Sequence, residues 1–338
     1  MFVAVENLDK RFGGQAVLSG VSFAVERGEL VSLIGPSGVG KTTLLKILAG
    51  LDEPSAGQVR FAEPPTRERP VLMVFQDYLL FPNLTVFENA AFGLRARKVP
   101  RQRVRERVRE ILAFFHLEAL ERRYPAQLSA GQQQRVAIAR AMVVGPALLL
   151  LDEPFANLDP TLKLETAEFI RATQQAFGIT TVSVTHDLAE AFVMSDKIGI
   201  MLDGRLVQYD DAGTVYHAPS SYAAARFMGP VNTLDAPLCR LLGLDAPAPG
   251  QVFHVRPEAM DMRADPQGPG RVLSVAFAGH YVRYTVRVRP PQGGSGDAAD
   301  TDPSRDLTVY GLHGGLQPGD RVSLRILHAL PSAATPKR

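Results

Sequence analysis

The run Gly35-Pro36-Ser37-Gly38-Val39-Gly40-Lys41-Thr42-Thr43 has the residue types and spacing to bind phosphates. It follows an apolar run, Leu30–Ile34, and precedes a helix-like run, Leu44–Ala49. A glycine-rich loop between strand and helix lets successive backbone N–H groups point into one concavity, and the helix N-terminus adds positive potential. Lys41 can then reach the β- and γ-phosphates of a nucleoside triphosphate, and the Thr42 hydroxyl can ligate Mg²⁺. Other candidates stand at strand ends further along. Leu148–Leu151 is apolar and ends in Asp152 and Glu153. Asp152 suits holding Mg²⁺ through water, and Glu153 suits polarising a water that attacks the γ-phosphate. Gln76 closes the run Val71–Phe75, and His186 closes Thr180–Thr185. Open α/β sheets bind ligands at the C-terminal ends of their strands, which is where these residues fall.

The elements that position them follow from periodicity. Val3–Val5 and Val21–Val25 alternate and predict an antiparallel pair around a turn at Lys10–Gly14. Phe12 lies in that turn, where it either stacks on a nucleobase or packs in the core. Gly50 caps the helix after the loop, Gly57 turns into a strand over Gln58–Phe61, and Glu63–Pro70 is a polar, proline-rich loop. From Asn83 to Leu128 the period is helical. Five arginines lie between Arg101 and Arg109, and the acids Glu106 and Glu110 mark that stretch as a solvated helix face rather than a nucleic-acid patch. Ser129, followed by Ala130, Gly131 and Gln132 before a clear helix, reads as an N-cap with exposed amides and a second anion site. A helix from about Thr161 to Phe177 precedes the His186 strand. Ile198–Met201 and Arg205–Tyr209 form a hairpin about Asp203-Gly204.

Composition changes beyond Asn232. Pro237 and 245–250 form a proline-rich junction, and five β-type runs without helices come next: Val252–Arg256, Arg271–Phe277, Tyr281–Arg289, Leu307–Tyr310 and Arg321–Leu327. They predict a small barrel of roughly a hundred residues. Val282, Tyr284, Val286 and Val288 share one face of a strand, with Arg283, Arg287 and Arg289 on the other. Pro290–Arg305 has the composition of a mobile loop. A chain of 338 residues accommodates two domains, expected at 1–232 and 233–338. The net charge of +2 implies no polyanion partner by itself. There is neither an 18-residue apolar run nor a basic-then-apolar leader, so the expectation is a chain that does not span a membrane and is not secreted. The single Cys239 reads as a free thiol in a reducing cytosol.

Taken together, these residues resemble the ATP-binding-cassette (ABC) subunits of membrane transporters. The resemblance rests on the phosphate loop, Val74-Phe75-Gln76-Asp77, the signature Leu128–Gln132, Leu151-Asp152-Glu153-Pro154, Asn157-Leu158-Asp159 and Thr185-His186-Asp187, in the family's order over residues 1 to about 230. It implies an α/β cassette with a RecA-like core, an antiparallel β subdomain and a helical subdomain, followed by an OB-like barrel of the TOBE type. It also implies a head-to-tail pair of cassettes, either a homodimer or two paired cassettes. In that pair Ser129, Ala130, Gly131 and Gln132 reach the ATP held by Lys41 of a partner chain. Glu153 is then the catalytic base, His186 a γ-phosphate contact, Asp159 a link between the two sites, and Phe12 the adenine-stacking residue. Thr42, Gln76 and Asp152 serve Mg²⁺. Integral membrane permease subunits, an indirect solute-binding protein and the cytoplasmic face of the membrane complete what the resemblance implies. Ala130 departs from the family's usual glycine, and a methyl there requires a negative φ.

Asp77–Asn89 and Val255-Arg256-Pro257-Glu258 resemble the importers of sugars, sulfate, ferric iron or polyamines, and Phe227–Asn232 is similar to the sulfate branch. The solute itself is not readable from the chain. Two other classes share part of this pattern. A small-molecule kinase shares the phosphate loop but lacks the Leu128–Gln132 signature. A nucleic-acid-remodelling cassette carries tandem cassettes or a long coiled-coil insert, whereas Lys41 and Asp152 are 111 positions apart with no sustained heptads. No nucleic-acid partner is expected.

Overall fold

A computed structural model describes residues 1–156, 158–244, 247–248, 251–289, 305–312 and 314–330. Asn157, most of the 245–250 junction and the loop at 290–304 lie outside the described residues. The chain divides into two compact units, Met1–Ala212 and Gly213–Arg338.

In the first unit β1 (Val3–Phe12) lies between β2 (Gln15–Val25) and β4 (Ala56–Phe61) in an antiparallel sheet. Strand β3 (Leu30–Ile34) leads through the phosphate loop into α1 (Lys41–Leu48). Then come β5 (Val71–Val74), α2 (Val86–Ala96), α3 (Arg101–Phe114), α4 (Ala130–Met142), β6 (Leu148–Asp152), α5 (Pro160–Phe177), β7 (Thr180–Thr185), α6 (Leu188–Met194), β8 (Lys197–Leu202) and β9 (Arg205–Asp211). The main sheet has the order β5-β6-β7-β3-β8-β9, parallel except for the closing β8–β9 hairpin. Every residue of β3, β6 and β7 is buried, as expected of parallel strands covered on both faces. This is why their sequences are continuous apolar runs rather than alternating ones.

Two cores result. One joins the small sheet and α1 to β3, β6 and β7 through Val5, Leu8, Leu33, Leu45 and Leu148. The other collects α2, α3 and α4 around Val108, Ile111, Phe115, Val136 and Leu151. Helix α2 starts where the sequence has Thr85-x-x-Glu88, a complete capping box.

The second unit holds α7 from Gly213 onward (the helix spans Ala212–His217), α8 (Tyr222–Phe227), β10 (Asn232–Leu234), α9 (Ala236–Leu241) and β11 (Phe253–Val255). It continues with β12 (Met260–Ala264), β13 (Gly270–Phe277), β14 (Val282–Val288), β15 (Arg305–Gly311) and β16 (Arg321–Ile326). The sheet order is β12-β16-β13-β14-β15, and the edge strands β12 and β15 come into contact, so the sheet curls round its own core as a small barrel.

Two sequence expectations change here. The run Val252–Arg256 contributes β11, which pairs with β10 outside the barrel, and the fifth barrel strand is β12. Strand β12 is short, charged and half exposed, which hid its alternation. Pro237 lies inside α9, in the first turn, where its missing N–H is not needed. The stretch 213–232 is tied to the second unit by specific bonds. The buried Arg256 guanidinium donates to the Ala225 and Tyr216 carbonyls at 2.9 and 3.4 Å, and the Tyr216 hydroxyl donates to Glu258. Asn232 exchanges two bonds with the Thr308 backbone, at 2.7 and 2.8 Å.

Candidate functional site

The loop after β3 owes its shape to glycines. Gly40, the N-cap of α1, has φ 105°, and a Cβ there would lie 2.9 Å from the Val17 carbonyl oxygen. A Cβ on Gly35 would come within 2.4 Å of the Met201 carbonyl oxygen. Among the described residues no side chain caps α1, so its first N–H groups remain free for an anion. The Lys41 ammonium is buried and donates to the Gly35 and Pro36 carbonyls at 2.7 and 2.9 Å. Burial draws its pKa down, while the nearby Glu153 and Asp152 carboxylates act the other way. A cavity of about 500 Å³ opens beside the loop, lined by Pro36, Ser37, Gly38 and Val39, by Gln15–Val17 and by the Asp203-Gly204 hairpin turn. Thr43 follows in the first turn of α1.

Parallel pairing brings the C-terminal ends of β5, β6, β7 and β3 to one edge of the sheet. Asp152, the last residue of β6, accepts the Thr42 hydroxyl at 2.9 Å. Burial raises its pKa, and the Thr42 bond partly offsets this. Glu153 has a left-handed backbone, φ 44°, held by its N–H on the Val184 carbonyl at 3.0 Å. His186 Nδ1 stands 3.3 Å from Glu153 Oε2, with the imidazole half exposed. Gln76 lies two residues beyond β5 at the same sheet edge. Lys41, Thr42, Asp152, Glu153 and His186 therefore form one site, with Gln76 at its margin.

The remaining candidates stand elsewhere. Phe12 ends β1, 51% exposed, with the Lys10 ammonium 4.8 Å from its ring centre. Ser129 caps α4, accepting the Gln132 N–H at 3.3 Å, while Gln132 Oε1 accepts the Ser129 N–H at 3.0 Å. Ala130 and Gly131 form the first turn of α4, and Ala130 is not among the positive-φ residues. Its backbone thus accommodates the methyl that replaces the usual glycine. Asp159 caps α5, accepting the Leu162 N–H at 3.1 Å.

Comparison with known proteins matches the ABC transporter family over residues 18–156 and the TOBE domain over 253–329. The Fe(3+) ions import ATP-binding protein FbpC of Vibrio cholerae serotype O1 is 40% identical over 309 residues, 85% of this chain and 88% of that protein. The FbpC of Escherichia coli K12 is 39% identical over 303 residues, 84% of this chain and 87% of that protein. The chain belongs to the ABC transporter family. Among solved ABC structures, cbiO1 of Clostridium perfringens, part of the complex cbiONQ, superposes with a TM-score of 0.60 at 32% identity, covering 63% of this chain and 90% of that one. The ATP-binding cassette MJ0796, solved as a dimer in a post-hydrolysis state with ADP and Pi, gives 0.55 at 32% identity, covering 62% of this chain and 98% of that one. The first unit is thus an ABC ATPase, which binds and hydrolyses ATP.

The ABC cassette also contains supports for the site that the sequence motifs do not announce. The buried Tyr78 hydroxyl donates to the Pro154 carbonyl at 3.3 Å, directly after Glu153. Tyr78 and Leu79 both have positive φ, and Arg140 of α4 donates to their carbonyls at 3.1 and 2.9 Å. Asn89, fully buried, accepts the Phe81 N–H and donates to the carbonyls of Phe81, Leu84 and Thr85. Lys163 bridges Asp187 and the buried Glu190 beside His186, at 3.5 and 3.2 Å. No short motif marks the Tyr78 and Arg140 contacts, because they join positions 61 to 76 residues apart.

Proposed function

We propose that this chain is the ATPase of a ferric-iron importer. The observation that carries the reading is the match to FbpC proteins over both units. In this reading Lys41 and the N–H groups of Gly38–Thr43 hold the β- and γ-phosphates, and Phe12 stacks on adenine. The donor set at Thr42, Asp152 and Gln76 is all oxygen if the glutamine offers its carbonyl. Hydroxyl and carboxylate lie 2.9 Å apart, which fits a hard cation that keeps waters and phosphate oxygens as ligands. Thr42, Asp152 and Gln76 would hold Mg²⁺, which would supply positive charge against the phosphates. Glu153 accepts the proton of the attacking water, and His186, adjacent to it, donates to the γ-phosphate.

Two copies pair head to tail, so that Ser129, Ala130, Gly131 and Gln132 of one face the ATP of the other, with Asp159 between the sites. The pair docks on integral membrane permeases at the cytoplasmic face, supplied by a separate solute-binding protein. ATP chemistry ends with His186, and we assign residues 1–232 to the cassette function and 233–338 to regulation. Uptake of radioactive ferric iron by cells whose own copy is replaced with Lys41→Ala tests the solute. Iron uptake should fall to background; normal iron uptake with loss of sulfate, sugar or polyamine uptake overturns it.

A further inference from the structure

The arginines on the outer face of the barrel are not used by ATP chemistry, and their register is unusual. Arg321 of β16 pairs with Arg271 of β13, and Arg271 pairs with Arg287 of β14. Three guanidinium side chains therefore stand in one row across three adjacent strands, on the same face. Their neighbours Val322, Val272 and Val286 point into the core. Arg287 is also opposite Asp306 of β15, which takes it in a two-pronged ion pair at 2.7 and 2.8 Å. Like charges directly opposite on neighbouring strands destabilise a sheet, and a single carboxylate at the end of the row does not balance it.

Among the described residues the nearby acids Asp265 and Asp320 form no ion pair with the row. The Asp265 and Asp320 carboxylates accept the backbone N–H groups of Gln267 and Gln317. Among the described residues no ion pair involves Arg271, Arg289 or Arg321, whereas Arg287 has Asp306. Arg271 and Arg321 each donate to a loop carbonyl, of Gly319 and Gly268, which fixes their direction. Together with Arg289, just past the end of β14, all three line one open cavity of about 950 Å³. Ligand sites have volumes of roughly this order.

We propose that this row is a binding site for a small, extended polyphosphate: a chain of phosphoryl groups, either inorganic or carried by a nucleotide. Length selects the class. Two strand spacings put the outer arginines of the row roughly 10 Å apart. A single tetrahedral oxyanion can engage two neighbouring guanidiniums but not the whole row. A chain of phosphoryl groups offers successive anionic edges, each suited to the two-pronged geometry of arginine. A solvated surface with no ligand role would give no reason for three arginines to be in register and share a cavity.

The test uses the full chain carrying Lys41→Ala, so that the phosphate loop contributes little. Calorimetric titration with sodium tripolyphosphate at low salt should show one site per chain. Adding Arg271→Gln, or separately Arg321→Gln, should weaken it at least tenfold, and raised salt should weaken it in the parent. Orthophosphate and sulfate should bind at least tenfold less tightly than tripolyphosphate. Parallel titration with ATP assigns the source: tighter binding than tripolyphosphate marks a nucleotide, weaker binding an inorganic chain. In thermal melts without anion, both substituted proteins should be at least as stable as the parent, and tripolyphosphate should raise the melting temperature of the parent alone. Equal tripolyphosphate affinity in parent and both variants overturns the proposal. So does orthophosphate binding as tightly as tripolyphosphate, or a single-stranded oligonucleotide displacing tripolyphosphate at lower concentration.

Discussion

Replacing Tyr78 by Phe should slow ATP hydrolysis about fivefold with little change in KM. Glu153 occupies a left-handed backbone conformation, which costs a residue with a Cβ roughly 1–2 kcal/mol. Three bonds hold the turn that keeps it there: Glu153 N–H to Val184, Ala156 N–H to the Glu153 carbonyl, and the Tyr78 hydroxyl to Pro154. Burial pushes the phenol up to about 12, so it remains a protonated donor at any assay pH near neutral. The ring is fully enclosed, and phenylalanine keeps its packing while removing only the hydroxyl. One such bond contributes about 1 kcal/mol net, comparable with the strain it helps to hold. If that difference releases Glu153 from its working position, the competent fraction, and kcat with it, falls about fivefold. The melting temperature should fall by only roughly 2–4 °C in a domain of this size. Steady-state ATPase assays with a thermal melt decide the matter. An unchanged kcat with a lowered melting temperature refutes the argument, because the bond would then support the fold and not the base.

Glu153→Gln should retain ATP binding and lose on the order of a hundredfold or more in turnover, trapping an ATP-bound dimer seen by size-exclusion chromatography. Lys41→Ala should instead weaken nucleotide binding itself, read by titration with labelled ATP. Ala130→Gly should leave the ATPase rate within about twofold, since the backbone there is already helical; a severalfold rise would show that the methyl crowds the phosphate. Burial raises the Asp152 pKa, so its contribution to stability is complete below its unfolded value of about 4 and is lost as pH rises through the folded one. Asp152→Asn should accordingly raise the melting temperature of nucleotide-free protein at pH 7, and this gain should vanish near pH 4, while Mg²⁺-dependent ATP binding is lost. A lower melting temperature at pH 7 would contradict that sign.

The site residues at strand ends and helix starts were legible because each belongs to a short local pattern. Lys41 and Thr42 follow a glycine-rich turn, Asp152 and Glu153 follow a buried strand, and Ser129 precedes Gln132 by the spacing of a capping box. Their partners were not legible. The sequence contains nothing local that sets Glu153 at φ 44°, or that sends Tyr78 to Pro154 and Arg140 to the Tyr78 and Leu79 carbonyls. Such contacts depend on how α4 packs beside β5 and β6. The second unit divides in the same way: alternation in β14 is plain, whereas β12 has only five residues and two charges. Arg256, read as part of a family motif, is in the fold a buried anchor for the 213–232 stretch. Phe227–Asn232, similar in sequence to the sulfate branch, supplies Asn232 as a backbone clamp on Thr308.

Within one chain the donors of the site are already paired. Lys41 rests on two carbonyls, Thr42 on Asp152, and His186 beside Glu153. A nucleotide arriving here exchanges these bonds for others, and exchanged hydrogen bonds contribute little net energy each. Tight closure over the γ-phosphate therefore needs donors that are not already committed. The start of α4 has them: among the described residues the Ala130 and Gly131 N–H groups have no acceptor, and Ser129 spends only a lone pair on Gln132, leaving its hydroxyl proton to donate. No hydrogen bond among the described residues joins Ser129 or Gln132 to the phosphate loop of the same chain. An uncommitted donor set on one surface and a phosphate cradle on another are complementary, and head-to-tail pairing of two copies brings them together twice.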